Sequence, residues 1–328
     1  MFTFFDFFSG IGGFRIGLVN NGLIPVGFCE NNSQAVEVYR TAYDTEGEFF
    51  SNDIKNIKGI DLPYADVWTG GFPCQDISDL NKKGKGLEGE RSGLYYEIIR
   101  LLNERKMGGR SNPTILFLEN VQRLLRIHGG EDFFRILQSL DEQGYDVEWR
   151  LLNSVNFGLP QNRPRVYIIG YNREKCRPRE ILNTITPTYK NGEIVHSKFR
   201  YKSKYQVQTF IMQLTGITKC VMAGTAGKKM IETEKGVRFL TPLESLRVQG
   251  FPDWFYKRIK NSTPEHVIYR TVGNAVSPPV IQVIGAEIRK FLDENNANNR
   301  TTTRATGNAT GTKVSVNSSS CNGILPIF

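Results

Sequence analysis

The first nineteen residues constrain this chain most. An apolar run at residues 2–8 (FTFFDFF) stops in Ser9-Gly10-Ile11-Gly12-Gly13, and an apolar helical pattern through Ile16, Leu18 and Val19 follows at once. Strand, glycine turn and helix in immediate succession read as the opening of an α/β unit. The order repeats. Leu23–Cys29 reads as a second strand ending in Glu30, residues 33–43 as a helix, and a third strand precedes Asp53. Further strands are predicted at Ala65–Thr69, Thr114–Leu118, Val147–Leu152 and Val166–Tyr171, with helices around 93–106 and 132–143. Alternation of this kind predicts an α/β fold with a doubly wound, mostly parallel sheet.

The 328 residues suffice for one large α/β domain carrying an insertion. Residues 1–177 carry the alternation and read as the first part of that domain. It is lost over 178–237, where Lys198, Arg200, Tyr201, Lys202, Lys204 and Tyr205 crowd together and the segment reads as a small inserted domain. Residues 238–294 return to the main domain, with an amphipathic helix predicted at 280–293. From Asn295 to Phe328 the composition is Asn, Thr, Ser and Gly, which predicts a disordered tail. Charge follows the same division. The net charge is +9, but 178–237 holds ten Lys and Arg against four Asp and Glu, and the tail holds three basic residues and no acid. The rest of the chain is balanced, so the basic insertion is the natural place for a polyanion.

No apolar run reaches the ~18–20 residues that span a bilayer, and MFTFFDFF is broken by Asp6 and lacks a basic leader. The chain reads as soluble and cytoplasmic, without a membrane partner. Cys29, Cys74, Cys176, Cys220 and Cys321 are odd in number and far apart, with no CxxC pair, which argues against a disulfide framework and a zinc site. With three histidines besides, no metal is expected.

The glycine turn sits where a parallel sheet binds ligands, at the carboxyl edge, with backbone N–H groups of a helix N-terminus facing out. Glu30 would there accept hydrogen bonds from a ribose diol, and Asp53 from an adenine amino group. A purely structural tight turn is the competing reading of the glycines alone. Gly70-Gly71-Phe72-Pro73-Cys74-Gln75 follows the Ala65–Thr69 strand and puts a thiol at the same edge. A free thiol of pKa ~8.5 is a few per cent ionised near neutrality, so a nucleophilic Cys74 needs cations or a helix N-terminus nearby. Leu116-Phe117-Leu118-Glu119-Asn120-Val121 ends a strand in a carboxylate, and Gln161-Asn162-Arg163-Pro164-Arg165 brings two guanidinium groups to a strand start. Taken singly, Cys74 also fits a small buried core residue, Glu119 a cap or surface acid, and each arginine a solvated side chain.

These elements, in this order, resemble the cytosine-C5 DNA methyltransferase family of bacterial or phage restriction–modification type. The likeness covers residues 3–177 and 238–292, with Gln249-Gly250-Phe251-Pro252-Asp253 and Gly273-Asn274-Ala275-Val276 similar to the family's last two motifs. Asn31 stands where an aromatic residue is common in the family. The resemblance implies a Rossmann-like fold, S-adenosylmethionine as methyl donor and S-adenosylhomocysteine as product. It implies a flipped cytosine in a short duplex sequence, attacked at C6 by Cys74, with Glu119 at the N3 edge and Arg163 and Arg165 stabilising the thiolate, O2 or a phosphate. Cofactor contacts would be Phe8, Gly10, Gly13, Glu30, Asp53, Ile54, Pro73, Leu94 and Asn274. DNA contacts would come from Gln75, Ser78, Lys82, Lys83 and Lys85 after the cysteine, and from Lys198, Arg200, Lys202, Lys204, Lys228 and Lys229 in the insertion, which corresponds to the target-recognition region. Partners would be double-stranded DNA and a restriction endonuclease acting separately, with the chain a monomer. Two other functions share much of the pattern: a methyltransferase acting on tRNA cytosine, and a non-catalytic α/β DNA-binding protein. A nicotinamide site is disfavoured because the turn lacks GxGxxG spacing.

Overall fold

The computed structural model describes residues 1–73, 87, 92–186, 200–202, 208–212, 217–221 and 230–307. Strands β1 (Thr3–Phe7), β2 (Ile24–Cys29), β3 (Phe49–Ser51), β4 (Val67–Gly71) and β5 (Ile115–Val121) alternate with helices α1 (Gly13–Val19), α2 (Ser33–Ala42) and α3 (Tyr95–Met107). Helix α4 (Glu131–Glu142), strands β6 (Tyr145–Asn153), β7 (Gln161–Asn162) and β8 (Pro164–Asn172) and the short helix α5 (Ile181–Thr184) follow. One sheet takes seven of these strands in the order β3-β2-β1-β4-β5-β8-β6. The first five are parallel, while β8 runs antiparallel to β5 and to β6. The predicted α/β class and mostly parallel sheet are therefore present, with β8 reversed. Strand order turns back at β1, between β2 and β4, which opens a crevice at their carboxyl ends.

A central parallel strand is covered on both faces, so it reads as continuous apolar sequence. Phe4, Phe5 and Phe7 of β1 are fully buried, and Phe7 packs edge-on to Trp68 of β4, ring centroids 5.1 Å apart. Each such side chain contributes on the order of 1.5–3 kcal/mol of burial. Asp6 interrupts the run and is also fully buried, accepting a hydrogen bond from Thr69 Oγ1 at 2.9 Å. Burial lifts its carboxyl from the usual range to about 7.

Farther along, β9 (Arg200–Lys202), β10 (Gln208–Met212), β12 (Met230–Thr233) and β13 (Gly236–Phe239) form a sheet in the order β13-β12-β10-β9. Strand β11 (Thr218–Lys219) instead pairs with β7. Helices α6 (Pro242–Gln249), α7 (Asp253–Ile259), α8 (Glu265–Asn274) and α9 (Pro278–Gly307) complete the described chain. Helix α6 begins with a capping box in which Thr241 Oγ1 accepts from the Glu244 N–H and Glu244 accepts from the Thr241 N–H. The same carboxylate takes both ends of Arg238, which holds it down at about 2. Gly13, at the start of α1, lies against the turn before α9: a Cβ there would come within 2.6 Å of the Val276 carbonyl oxygen.

Residues 1–291 form one compact unit and 292–328 a second. Helix α9 runs to Gly307, which corrects the expectation of disorder from Asn295 onward. Asn and Thr are modest helix formers, but extending an existing helix is far easier than nucleating one. Residues 308–328 lie outside the described residues.

Candidate active site

A cavity of about 220 Å³ lies at the sheet's carboxyl edge, between the glycine turn and the start of β8. Phe8, Gly10, Glu30 and Asn32 line one end, and Pro73, Glu119, Arg165 and Asn274 line the other.

At the first end the chain leaves β1 through two left-handed residues, Phe8 at φ 53° and Gly10 at φ 55°. Glycine adopts this at no steric cost, whereas Phe8 is strained by roughly 1 kcal/mol or more, a cost that surrounding structure must offset. Ser9 N–H donates to the Cys29 carbonyl at 3.1 Å and ties the turn to β2. Glu30 then takes the Gly10 N–H on Oε2 at 2.9 Å and the Asn32 N–H on Oε1 at 2.8 Å. Burial raises its pKa, and these amides oppose the rise. Each oxygen keeps lone-pair capacity for a ligand hydroxyl.

Four of the expected cofactor residues do not line this cavity. Asp53 caps the short 3₁₀ turn after it, accepting from Lys55 N–H at 3.0 Å. Ile54 is buried in the core, Leu94 packs half-buried against it, and Gly13 lies under Val276. Phe8, Gly10, Glu30, Pro73 and Asn274 do line it.

The second end depends on the reversed strand. Because β8 is antiparallel to β5, its first residues sit at the edge where β5 finishes, and Arg165 pairs with Val121. Glu119, two residues before Val121, shares that face, and Arg165 Nε meets Glu119 Oε1 at 3.0 Å. Glu119 is 7% exposed; burial raises its pKa, opposed first by Arg165 and then by Arg163. The opposing residue on β4 is Gly71, where a Cβ would stand 3.3 Å from Glu119 Oε2.

Arg163 also lines the cavity, with its guanidinium buried. Its Nη1 donates to Cys220 Sγ and the Val221 carbonyl, both at 3.0 Å, and its Nη2 to the Gly273 and Ala275 carbonyls at 3.2 and 2.8 Å. It braces three segments together, so this geometry gives Arg165, and not Arg163, the contact with Glu119.

Three amides that drew no role from the sequence organise the same edge. Asn120 Nδ2 donates to the Phe72 carbonyl at 3.0 Å, fixing the chain one residue before Pro73. Gln161 Nε2 donates to Gln249 Oε1 at 2.9 Å, its own Oε1 takes the Val221 N–H at 2.8 Å, and Gln249 Nε2 donates to the Ala275 carbonyl at 2.6 Å. All three are at most 1% exposed, and a polar side chain so placed must find partners. Their position inside motifs was the only available signal.

Cys74, Gln75, Ser78, Lys82, Lys83, Lys85, Lys198, Lys204, Lys228 and Lys229 lie outside the described residues, and Arg200 and Lys202 fall on β9. Among the described residues no group of three or more His, Cys, Asp or Glu is arranged to hold a metal ion, and no helix is long and apolar enough to cross a membrane.

A sheet of this order, with a cavity at its switch point and a buried acid paired to an arginine beside the Pro73 turn, is the build of an α/β enzyme. The family model for C-5 cytosine-specific DNA methylase matches residues 2–214 and 177–290, and the chain belongs to that family. It is a DNA cytosine-C5 methyltransferase. It is 31% identical over 319 residues to the Type II methyltransferase M.SsoII of Shigella sonnei, across 88% of this chain and 80% of that protein. It is 33% identical over 303 residues to M.NgoBI of Neisseria gonorrhoeae, across 86% and 91%. In fold it is similar to the S. pombe Dnmt2 methyltransferase, with a TM-score of 0.68 at 20% identity over 90% of this chain and all of that one. The Entamoeba histolytica methyltransferase EhMeth gives 0.67 at 18%, over 90% and 99%.

Proposed function

We propose that the chain methylates C5 of a flipped cytosine within a short duplex DNA sequence, through a covalent bond from Cys74 to C6, and so protects DNA from a separately acting restriction endonuclease. The observation that carries this is the Glu119–Arg165 pair lining the same cavity as Pro73, the residue directly before Cys74.

The cavity fits S-adenosylmethionine, with its ribose toward the glycine turn. The cavity lies at the switch point, the main chain reaches its wall without a side chain at Gly10, and Glu30 is an acid fixed by backbone amides with acceptor capacity left for a ribose diol. Phe8, Gly10, Glu30, Pro73 and Asn274 would hold it. When bound, it supplies an electrophilic methyl group.

Cytosine C5 is too weak a nucleophile to be methylated directly, so C6 must first accept a thiolate. Cys74 forms that bond, and a proton or hydrogen bond at N3 lets the ring take the electron pair. Glu119 is suited to this because burial favours its protonated form, while Arg165 keeps the carboxylate from being isolated once the proton has moved. C5, now part of an enamine, becomes the nucleophile. Loss of the C5 proton and expulsion of Cys74 restore the aromatic ring. Arg163, which also lines the cavity, supports the step by holding 163–165 against the 220–221 and 273–275 segments.

We assign residues 178–237 to target recognition, because that segment carries the excess positive charge that backbone phosphate attracts. Lys82, Lys83 and Lys85 after the cysteine would add phosphate contacts. The Type II relatives support the protective role, and the lack of a membrane-spanning helix among the described residues agrees with work in the cytoplasm. A monomer is the expected form.

Transfer of labelled methyl from S-adenosylmethionine to duplex DNA and to tRNA, followed by bisulfite mapping, tests the assignment. Label in DNA at C5 of one sequence context is expected. Label in tRNA alone would overturn it.

A further inference from the structure

Two buried cations lie at one end of the cavity, and among the described residues Glu119 is the carboxylate paired with Arg165. Arg165 spends Nε on Glu119, whereas Arg163, 3% exposed, directs its Nη1 and Nη2 to three carbonyl oxygens and one sulfur, with no carboxylate among these partners. The sulfur belongs to Cys220, half-buried beside β11, and it also accepts from Arg165 Nη2 at 3.6 Å. Buried like charges side by side demand a counter-charge, and burial followed by Arg165 pushes the Arg163 pKa down.

We propose that Cys220 is a positioning residue of this enzyme, its sulfur serving as the anionic acceptor that holds Arg163 and Arg165 in the orientation in which Arg165 meets Glu119. The catalytic significance of that orientation rests on the function assigned above. Burial pushes the Cys220 thiol up, and Arg163 and then Arg165 outweigh it, leaving the group below the usual thiol range. Among the described residues, the charged groups that face the sulfur are Arg163 and Arg165 at the start of β8, with Glu119 of β5 reaching it through Arg165. The neutral alternative is also defined: an S–H would donate to the Val221 carbonyl, 3.4 Å away.

Alkylation of the full chain with iodoacetamide between pH 6.5 and 9, followed by peptide mass spectrometry, separates the two forms. An ordinary thiol of pKa ~8.5 slows by roughly fifty- to a hundred-fold across that span as its thiolate fraction falls. Cys220 is expected to slow by at least about two-fold less than the same peptide in urea-unfolded protein, which serves as the ordinary reference. A decline matching the unfolded reference overturns the proposal.

The positioning role is read from Cys220→Asp, Cys220→Ser and Cys220→Ala, with melting temperature measured alongside. The expected order of kcat is Asp above Ser above Ala, with Ala down about ten-fold or more and KM for S-adenosylmethionine unchanged. Equal kcat in all three, or Asp no better than Ala at equal melting temperature, overturns it. Labelling reads the sulfur and not turnover. A protein that labels as expected but methylates no DNA therefore contradicts the assigned function while supporting the anionic sulfur.

Discussion

The two ends of the cavity each hold a buried glutamate, and they hold it by different means. Glu30 is fixed by backbone amides, those of Gly10 and Asn32 among them, and none of these donors is a cation. Glu119 is fixed by the Arg165 guanidinium, with Arg163 behind it. Burial raises both pKa values, but amides offer neutral donors in a fixed direction, whereas an arginine answers a change of charge. The first arrangement suits a carboxylate that only accepts hydrogen bonds from a bound ligand. The second suits one whose proton moves during a reaction. Asp6, under the same turn, shows the extreme: its hydrogen bond comes from the neutral Thr69 hydroxyl and its pKa rises to about 7.

The largest separation should come from Glu119→Gln, which keeps the shape and removes the proton relay. A loss of kcat of about 10²–10⁴-fold is expected, with KM for S-adenosylmethionine unchanged. A variant with wild-type kcat would erase the distinction between the two ends.

Asp6→Asn tests burial without an ionic partner. Because the folded-state pKa of Asp6 lies above its ordinary 3.8, its stabilising contribution is full below about pH 4 and is lost as pH rises to about 7. The variant should therefore gain on wild type with rising pH, by up to about 4 kcal/mol, and level off above pH 7. Urea unfolding midpoints at pH 5 and pH 8 measure this, and a difference independent of pH would show that Asp6 does not titrate in the fold.

Arg165→Lys keeps the charge and loses the planar fork. A fall in kcat of roughly ten- to a hundred-fold is expected from steady-state kinetics. Smallest is Glu30→Gln, which turns an NH₂ toward one of these backbone amides. KM for S-adenosylmethionine should rise about ten-fold with kcat nearly constant. If kcat fell instead, the assignment of that end to binding alone would be wrong.

The sequence showed the sheet and the cleft because their causes are local. The apolar run of β1, the glycines after it and the strand ending in Glu119 are each set by a few adjacent residues. It did not show that β8 is reversed, since an apolar strand reads the same in either direction. That reversal is what lets Arg165 reach Glu119. Arg163 and Arg165 are likewise indistinguishable by type, and only tertiary contacts separate the brace from the partner of the acid. Asp53 has a local role that its place at a strand end did not reveal: its carboxylate caps the next turn by accepting the Lys55 amide.

Duplex DNA carrying 5-fluorocytosine at the recognised position tests the central claim most directly, because fluorine at C5 blocks the elimination that frees Cys74. With S-adenosylmethionine present, the wild-type chain should form a denaturant-resistant complex in which mass spectrometry finds the nucleotide on the Cys74 peptide, and Cys74→Ala should form none. A covalent complex that persists in Cys74→Ala, or attachment at any other residue, would contradict the site and the chemistry assigned to it.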